Sequence, residues 1–128
     1  MAVESGSKNK VKKKLKEHGI THYCPRDTGT SGIPDIIACR PDGKFLAIEL
    51  KLNRGHGALS HPLSALQAKF LRDINRDGGV GYVLVELPDG WHWELIDRAE
   101  TMKSFEWRPR TLDAFIEEAL GKSFGVGS

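Results

Sequence analysis

An α/β fold is what this chain predicts: one domain built on a mixed central β-sheet with helices on its flanks. Three observations carry that expectation. Helix-period and strand-period segments follow one another in the order helix, three strands, helix, two strands, helix. Two Pro-Asp-Gly turns, Pro41-Asp42-Gly43 and Pro88-Asp89-Gly90, each stand between strand patterns, as hairpin turns do. Val80 to Leu87 is a strongly apolar run of the kind buried at a sheet centre.

Composition sets the outer limits. A length of 128 residues suits a single domain with one real core. Hydrophobic and charged fractions of 39% and 28% are those of an ordinary soluble globular protein. No apolar run approaches membrane-spanning length and the N-terminus has no signal-peptide apolar stretch, so a cytoplasmic location is expected. Cys24 and Cys39 show neither zinc nor redox spacing, and both fall in strand patterns, where buried free thiols are expected rather than a disulfide. The net charge of +2 does not demand a nucleic-acid partner. Its distribution is more suggestive: the first nineteen residues hold six lysines against Glu4 and Glu17. Such a patch serves either as an electrostatic footprint for nucleic acid or as a solvated helix face.

Residues 8 to 18 have helical character, with Ser5 or Ser7 as N-cap and Gly19 as C-cap. Val11 and Leu15 lie together on the wheel, and Glu4 falls between them if the helix reaches that far. A carboxylate on an inward face is odd for structure and natural for a metal site; if the helix starts after it, Glu4 is a tail residue. Ile20 to Cys24 is the first strand, ended by Pro25. Asp27 to Gly32 is a loop of small polar residues leading into Asp35, suited either to backbone contact with a phosphate or to plain connection.

The hairpin that follows concentrates the chemistry. Pro34 to Cys39 and Lys44 to Lys51 are its strands. On the second, Leu46, Ile48 and Leu50 share one face, while Phe45, Ala47, Glu49 and Lys51 share the other. Asp35 alternates with Ile36 just after a proline that fits a strand start. Buried charge is costly unless paired or bound to metal. A divalent cation such as Mg²⁺ held by Asp35 and Glu49, with Lys51 beside it, accounts for all three groups and leaves room for a phosphate; the alternative is a solvated strand end with a surface ion pair. Glu-x-Lys alone means little, since nine Glu and eleven Lys yield roughly one such triplet by chance. Its conjunction with Pro-Asp, a tight turn and matching side-chain parity is what counts.

Asn53-Arg54-Gly55-His56-Gly57 and Ser60-His61-Pro62 form a basic, glycine-rich loop that is expected to be mobile. The spacing of His56 and His61 fits no metal site, and loop histidines touching substrate are the simpler expectation. Pro62 to Asp77 is a helix with Leu63, Leu66, Phe70, Leu71 and Ile74 as its apolar stripe and Lys69, Arg72 and Arg76 on the solvent side. Gln67 lies inside the stripe, and a buried amide needs partners, which either the acidic hairpin end or the helix's own core surroundings would supply. In the last hairpin strand Trp91, Trp93 and Leu95 share a face, with His92, Glu94 and Ile96 opposite. Tryptophans there point to core packing or a dimer interface before base stacking. Leu112 to Leu120 is a short amphipathic helix, and Gly121 to Ser128 is expected to fray.

Pro34-Asp35 followed by Glu49-Leu50-Lys51 resembles the PD-(D/E)XK nuclease signature. Gly32 to Ile37 together with Phe45 to Lys51 is similar to the virus-type replication-repair nuclease (VRR-NUC) branch. The resemblance spans residues 4 to 87, so that 1–128 reads as a single VRR-NUC-like domain, with 88–128 adding a hairpin strand and a helix that carry no transferable motif. It implies a restriction-endonuclease-like core, a glutamate on the first helix (Glu4) and a glutamine on the helix after the Glu-x-Lys strand (Gln67). The implied activity is metal-dependent hydrolysis of DNA. Asp35, Glu49 and the backbone carbonyl of Leu50 would hold Mg²⁺ or Mn²⁺, and Glu4 a second ion or its water. Lys51 would orient the nucleophile, and Gln67 would position Lys51 or the water. Compact members of this branch act on structured DNA, some as homodimers that cut branched junctions, in phage or bacterial replication and repair. The Trp91/Trp93 face and the C-terminal helix are the expected interface. The alternatives are a general or restriction-type endonuclease and a DNA-binding module without chemistry.

Overall fold

A computed structural model of the chain describes residues 2–25, 32–97 and 106–121, with side chains from residue 6 onward at the N-terminus. Within these residues run α1 (Ala2–Glu17), β1 (His22–Tyr23), β2 (Ile36–Cys39), β3 (Phe45–Leu52), α2 (Ala65–Arg76), β4 (Val80–Leu87), β5 (Gly90–Leu95) and α3 (Leu112–Ala119), the expected order. The strands form one five-stranded sheet in the order β1-β2-β3-β4-β5. Only β3 and β4 are parallel; the other neighbours are antiparallel. Parallel neighbours need a long return connection, and α2 supplies it. The protein is thus a small α/β domain with a mixed sheet flanked by helices, consistent with a restriction-endonuclease-like fold.

The alternation along β3 divides the interior in two. Leu46, Ile48 and Leu50 join Val11 and Leu15 of α1 and Phe115 of α3 in one core. Ala47 faces the other way, into a core shared with Ala68 and Leu71 of α2, Val83, Val85 and Ile96. Phe115 centres the first core, meeting the rings of Tyr82 and Trp93 edge-on at 5.3 Å each. Burial holds the Tyr82 phenol neutral, well above its ordinary pKa, and its hydroxyl donates to Glu118 Oε2 at 3.2 Å. The β2–β3 turn follows the sequence expectation: Gly43 takes φ 88°, a value open to glycine, and Arg40 N donates to Lys44 O at 2.9 Å.

Several expectations are corrected. α1 begins at Ala2, well before residue 8, and Ser5, Gly6 and Ser7 lie inside it rather than capping it. Serine and glycine are poor helix formers, but Ser7 is buried and its hydroxyl donates to Glu86 Oε1 at 2.5 Å. That tertiary bond favours the extra turns. β1 shrinks to two residues. Cys24 and Cys39 are free as expected, yet Cys24 is half-buried and Cys39 exposed, because Ala38 rather than Cys39 faces the first core. α2 starts at Ala65, with Ser64 as its N-cap, rather than at Pro62. Its buried residues are Ala68 and Leu71, whereas Leu66 and Phe70 stand 55% and 38% exposed. Trp91 and Trp93 are buried within the chain and pack in the core with α3, so that face is not available as an interface. The loop from Asp27 to Ser31 and the tail from 122 to 128 lie outside the described residues.

Asn75 escaped sequence reading altogether. Its amide donates to Gly81 O at 2.9 Å and Ile96 O at 2.7 Å and accepts from Gly81 N at 2.9 Å, stitching the end of α2 to β4 and to the residue after β5. The packing around Phe115 sets one expected outcome: Phe115→Ala removes about 3–5 kcal/mol of stability, measurable as a shift in the urea unfolding midpoint at unchanged m-value.

Candidate active site at the end of the central hairpin

The β2–β3 register pairs Ile36 with Ile48. Continued by one residue it sets Asp35 opposite Glu49, so both carboxylates leave the sheet on the same face as near neighbours. Continued by two it sets Pro34 opposite Leu50. Asn53 N donates to Glu86 O of β4 at 2.9 Å, which shows that odd-numbered positions of this strand turn their backbone groups toward β4. Even-numbered ones, Leu50 among them, turn toward β2. Pro34 has no N–H to continue that ladder. The Leu50 carbonyl therefore faces a residue with nothing to donate, and the Leu50 N–H donates to Asp35 Oδ2 at 2.8 Å.

Glu49 and Lys51 are buried, 5% and 8% exposed. Lys51 Nζ stands 3.9 Å from Glu49 Oε2, and the two are bridged by Gln67. Its Nε2 donates to Glu49 Oε2 at 2.9 Å, and its Oε1 accepts from Lys51 Nζ at 3.4 Å. The amide orientation follows from these partners, since only the NH₂ end can serve a carboxylate and only the oxygen an ammonium. Gln67 reaches the site because of where α2 starts. Ser64 Oγ accepts from Gln67 N at 3.1 Å, and Ser64 N donates to Gln67 Oε1 at 2.9 Å, a reciprocal capping box. Among the described residues no buried side-chain polar atom lacks a partner.

Asp35, Glu49, Lys51 and Gln67, named from sequence, are therefore brought together, with the Leu50 backbone between them. Glu4 lies within α1, but its side chain is outside the described residues. Ser7, three residues on, is fixed to Glu86, which pairs with Leu52 at the same end of the sheet. His56 does not join the cluster; its Nε2 donates to Asp89 Oδ1 at 2.9 Å. His61 is exposed.

Two carboxylates and a backbone carbonyl are hard oxygen donors, the set that suits Mg²⁺ or Mn²⁺ over softer metals. The described residues contain no group of three or more His, Cys, Asp or Glu placed to hold an ion. An ion on this set would complete its shell with water and substrate oxygen, which is usual for Mg²⁺. No described helix is long and apolar enough to cross a membrane.

No protein-family model matches the chain, and no curated protein does. Among solved structures it is similar to Hjc of Archaeoglobus fulgidus, a Holliday junction resolvase from an archaeal hyperthermophile. The TM-score is 0.59 at 25% sequence identity, over 77% of this chain and 85% of that one.

The capping box ties helix stability to Gln67. Ser64→Ala is expected to cost about 1 kcal/mol in chemical denaturation, and Ser64→Asp, which keeps an acceptor at the cap, to recover most of it.

Proposed function

We propose that the protein is a divalent-metal-dependent deoxyribonuclease that hydrolyses phosphodiester bonds in branched DNA, four-way junctions foremost, in replication or repair. The observation behind this reading is the facing pair Asp35 and Glu49 with Lys51 held beside them by Gln67. The likeness of the scaffold to a junction resolvase supports the substrate class.

In this reading Asp35, Glu49 and the Leu50 carbonyl hold Mg²⁺ or Mn²⁺, and Glu4 holds a second ion or a water. A bound ion of this kind lowers the pKa of its water and offsets charge on the phosphate. Lys51 points its ammonium at the reacting phosphate, orients the attacking water and stabilises negative charge as it builds. Gln67 keeps Lys51 from collapsing onto Glu49 and keeps one Glu49 oxygen engaged, which fixes the direction of the other. The Asp35 carboxylate, anchored through one oxygen to Leu50 N, has its second oxygen for the metal. Residues 1–128 act as one VRR-NUC-like domain in this account, with the chemistry carried between residues 4 and 87.

Two-fold substrates call for two sites, and the protein acts as a homodimer. The tryptophan face being covered, the surface for a second copy is the cleft where the exposed Phe45 and Phe70 meet beside Ile74, Asp73 and Asp77, with exposed Leu66 one turn earlier on α2.

Cleavage assays on linear, flap, fork and four-way-junction DNA test the reading. Wild type should cut the junction preferentially, and chelation of divalent metal should silence it. Lys51→Ala and Asp35→Asn should each lower the rate at least a few hundredfold, about 3 kcal/mol, while still binding DNA. Equal cutting by wild type and Lys51→Ala would defeat the assignment. Binding without cleavage under any metal would leave a DNA-binding module. In sedimentation experiments Phe70→Asp should shift a wild-type dimer to monomer.

A further inference from the structure

The segment between Lys51 and α2 does not behave as the mobile loop its composition suggests. Asn53 is 3% exposed, and its side chain donates to Gly55 O at 2.9 Å and accepts from Ser60 N and Ser60 Oγ at 2.9 and 3.0 Å. Leu59 is buried in the core beneath α2. From outside, Trp107 Nε1 donates to Gly57 O at 3.0 Å and His56 is held by Asp89. The loop is closed at its base, plugged into the core and braced at its tip.

Within this braced frame two glycines stand where the fold gives no reason for them. Gly55 and Gly57 have no positive φ, and a Cβ built on either meets no atom within 4 Å. Glycine carries an entropic penalty on ordering, and its use at these two positions leaves the loop backbone open to close approach by another molecule. The backbone N–H groups from Arg54 to Gly57 meet no acceptor among the described residues, and Arg54 is exposed and forms no ion pair among them. Arg54 follows Lys51 by three residues, within about 11 Å of chain.

We propose that Arg54 to Gly57 is a phosphate seat. The bare backbone at Gly55 and Gly57 lets a DNA strand come within hydrogen-bond reach of the loop N–H groups, and the Arg54 guanidinium neutralises the same or the adjacent phosphate. This inference rests on the nuclease reading and deepens it. The seat fixes the strand one or more phosphates away from the bond cut beside Lys51, in a sequence-independent manner.

The test is fluorescence anisotropy of a labelled four-way junction, in chelator, with wild type, Arg54→Ala, Gly55→Ala and Gly57→Ala, alongside melting temperatures. Because each added methyl enters open space, Gly55→Ala and Gly57→Ala should melt at or slightly above wild type. All three variants should bind roughly fivefold or more weakly, and Arg54→Ala should reduce the slope of log K against log salt by about one. If wild type binds the junction and cuts it with Mg²⁺ while the variants bind equally well, the seat is refuted and the nuclease reading stands. If wild type neither binds nor cuts, the nuclease reading fails and the seat fails with it.

Discussion

The hydrogen bond from Leu50 N to Asp35 is the point on which the site turns. An antiparallel ladder ordinarily runs until one strand bends away. Here it is stopped by chemistry, because Pro34 arrives where a donor is required. The Asp35 carboxylate replaces the Pro34 carbonyl as acceptor for the Leu50 N–H, while the donor that proline lacks is not replaced. The same substitution fixes a carboxylate against the strand that carries Glu49 and Lys51, and leaves the Leu50 carbonyl open on that side. One imino acid thus converts the end of a hairpin into a set of oxygen donors, without a loop or any unusual backbone angle.

The two faces of the sheet are used differently. The face under α1 and α3 is filled by aliphatic and aromatic groups around Phe115, and its one acidic strand residue near the end, Glu86, accepts a hydrogen bond from Ser7 and is neutralised by Lys10 at 2.5 Å. The face under α2 has a smaller core and admits Glu49 and Lys51 into burial, a costly arrangement unless each charge is hydrogen-bonded. Gln67 meets that requirement for both, and its neighbour Ala68 keeps α2 close enough for it to reach.

Much of this was legible in the sequence. The order of elements, the limits of β4 and the parity along β3 follow from periodicity and from two Pro-Asp-Gly turns. That Asp35, Glu49, Lys51 and Gln67 lie together was legible from Pro-Asp, the hairpin turn and side-chain parity, and from the conflict between polar groups and burial at inward positions. What escaped was tertiary in origin. The early start of α1 depends on a bond between Ser7 and Glu86, far apart in the chain. The exposure of Leu66 and Phe70 depends on how α2 rotates to bring Gln67 inward, which an apolar stripe cannot reveal. The bracing of the loop after Lys51 depends on Trp107 and Asp89, residues that its own glycine-rich composition gives no hint of.

The reciprocal bonds between Ser64 and Gln67 have a further consequence for the kinetics of opening. Helix ends fray, at a free-energy cost far below that of global unfolding, and the first turn of α2 is such an end. Each fraying event releases Gln67 from its cap and withdraws the amide from Glu49 and Lys51 at the same instant. Exchange of the Gln67 amide proton, which the Ser64 cap protects, and the Gln67 contacts to Glu49 and Lys51 therefore report one equilibrium. The lifetime of that single helical turn sets the interval over which the buried carboxylate and ammonium stay arranged.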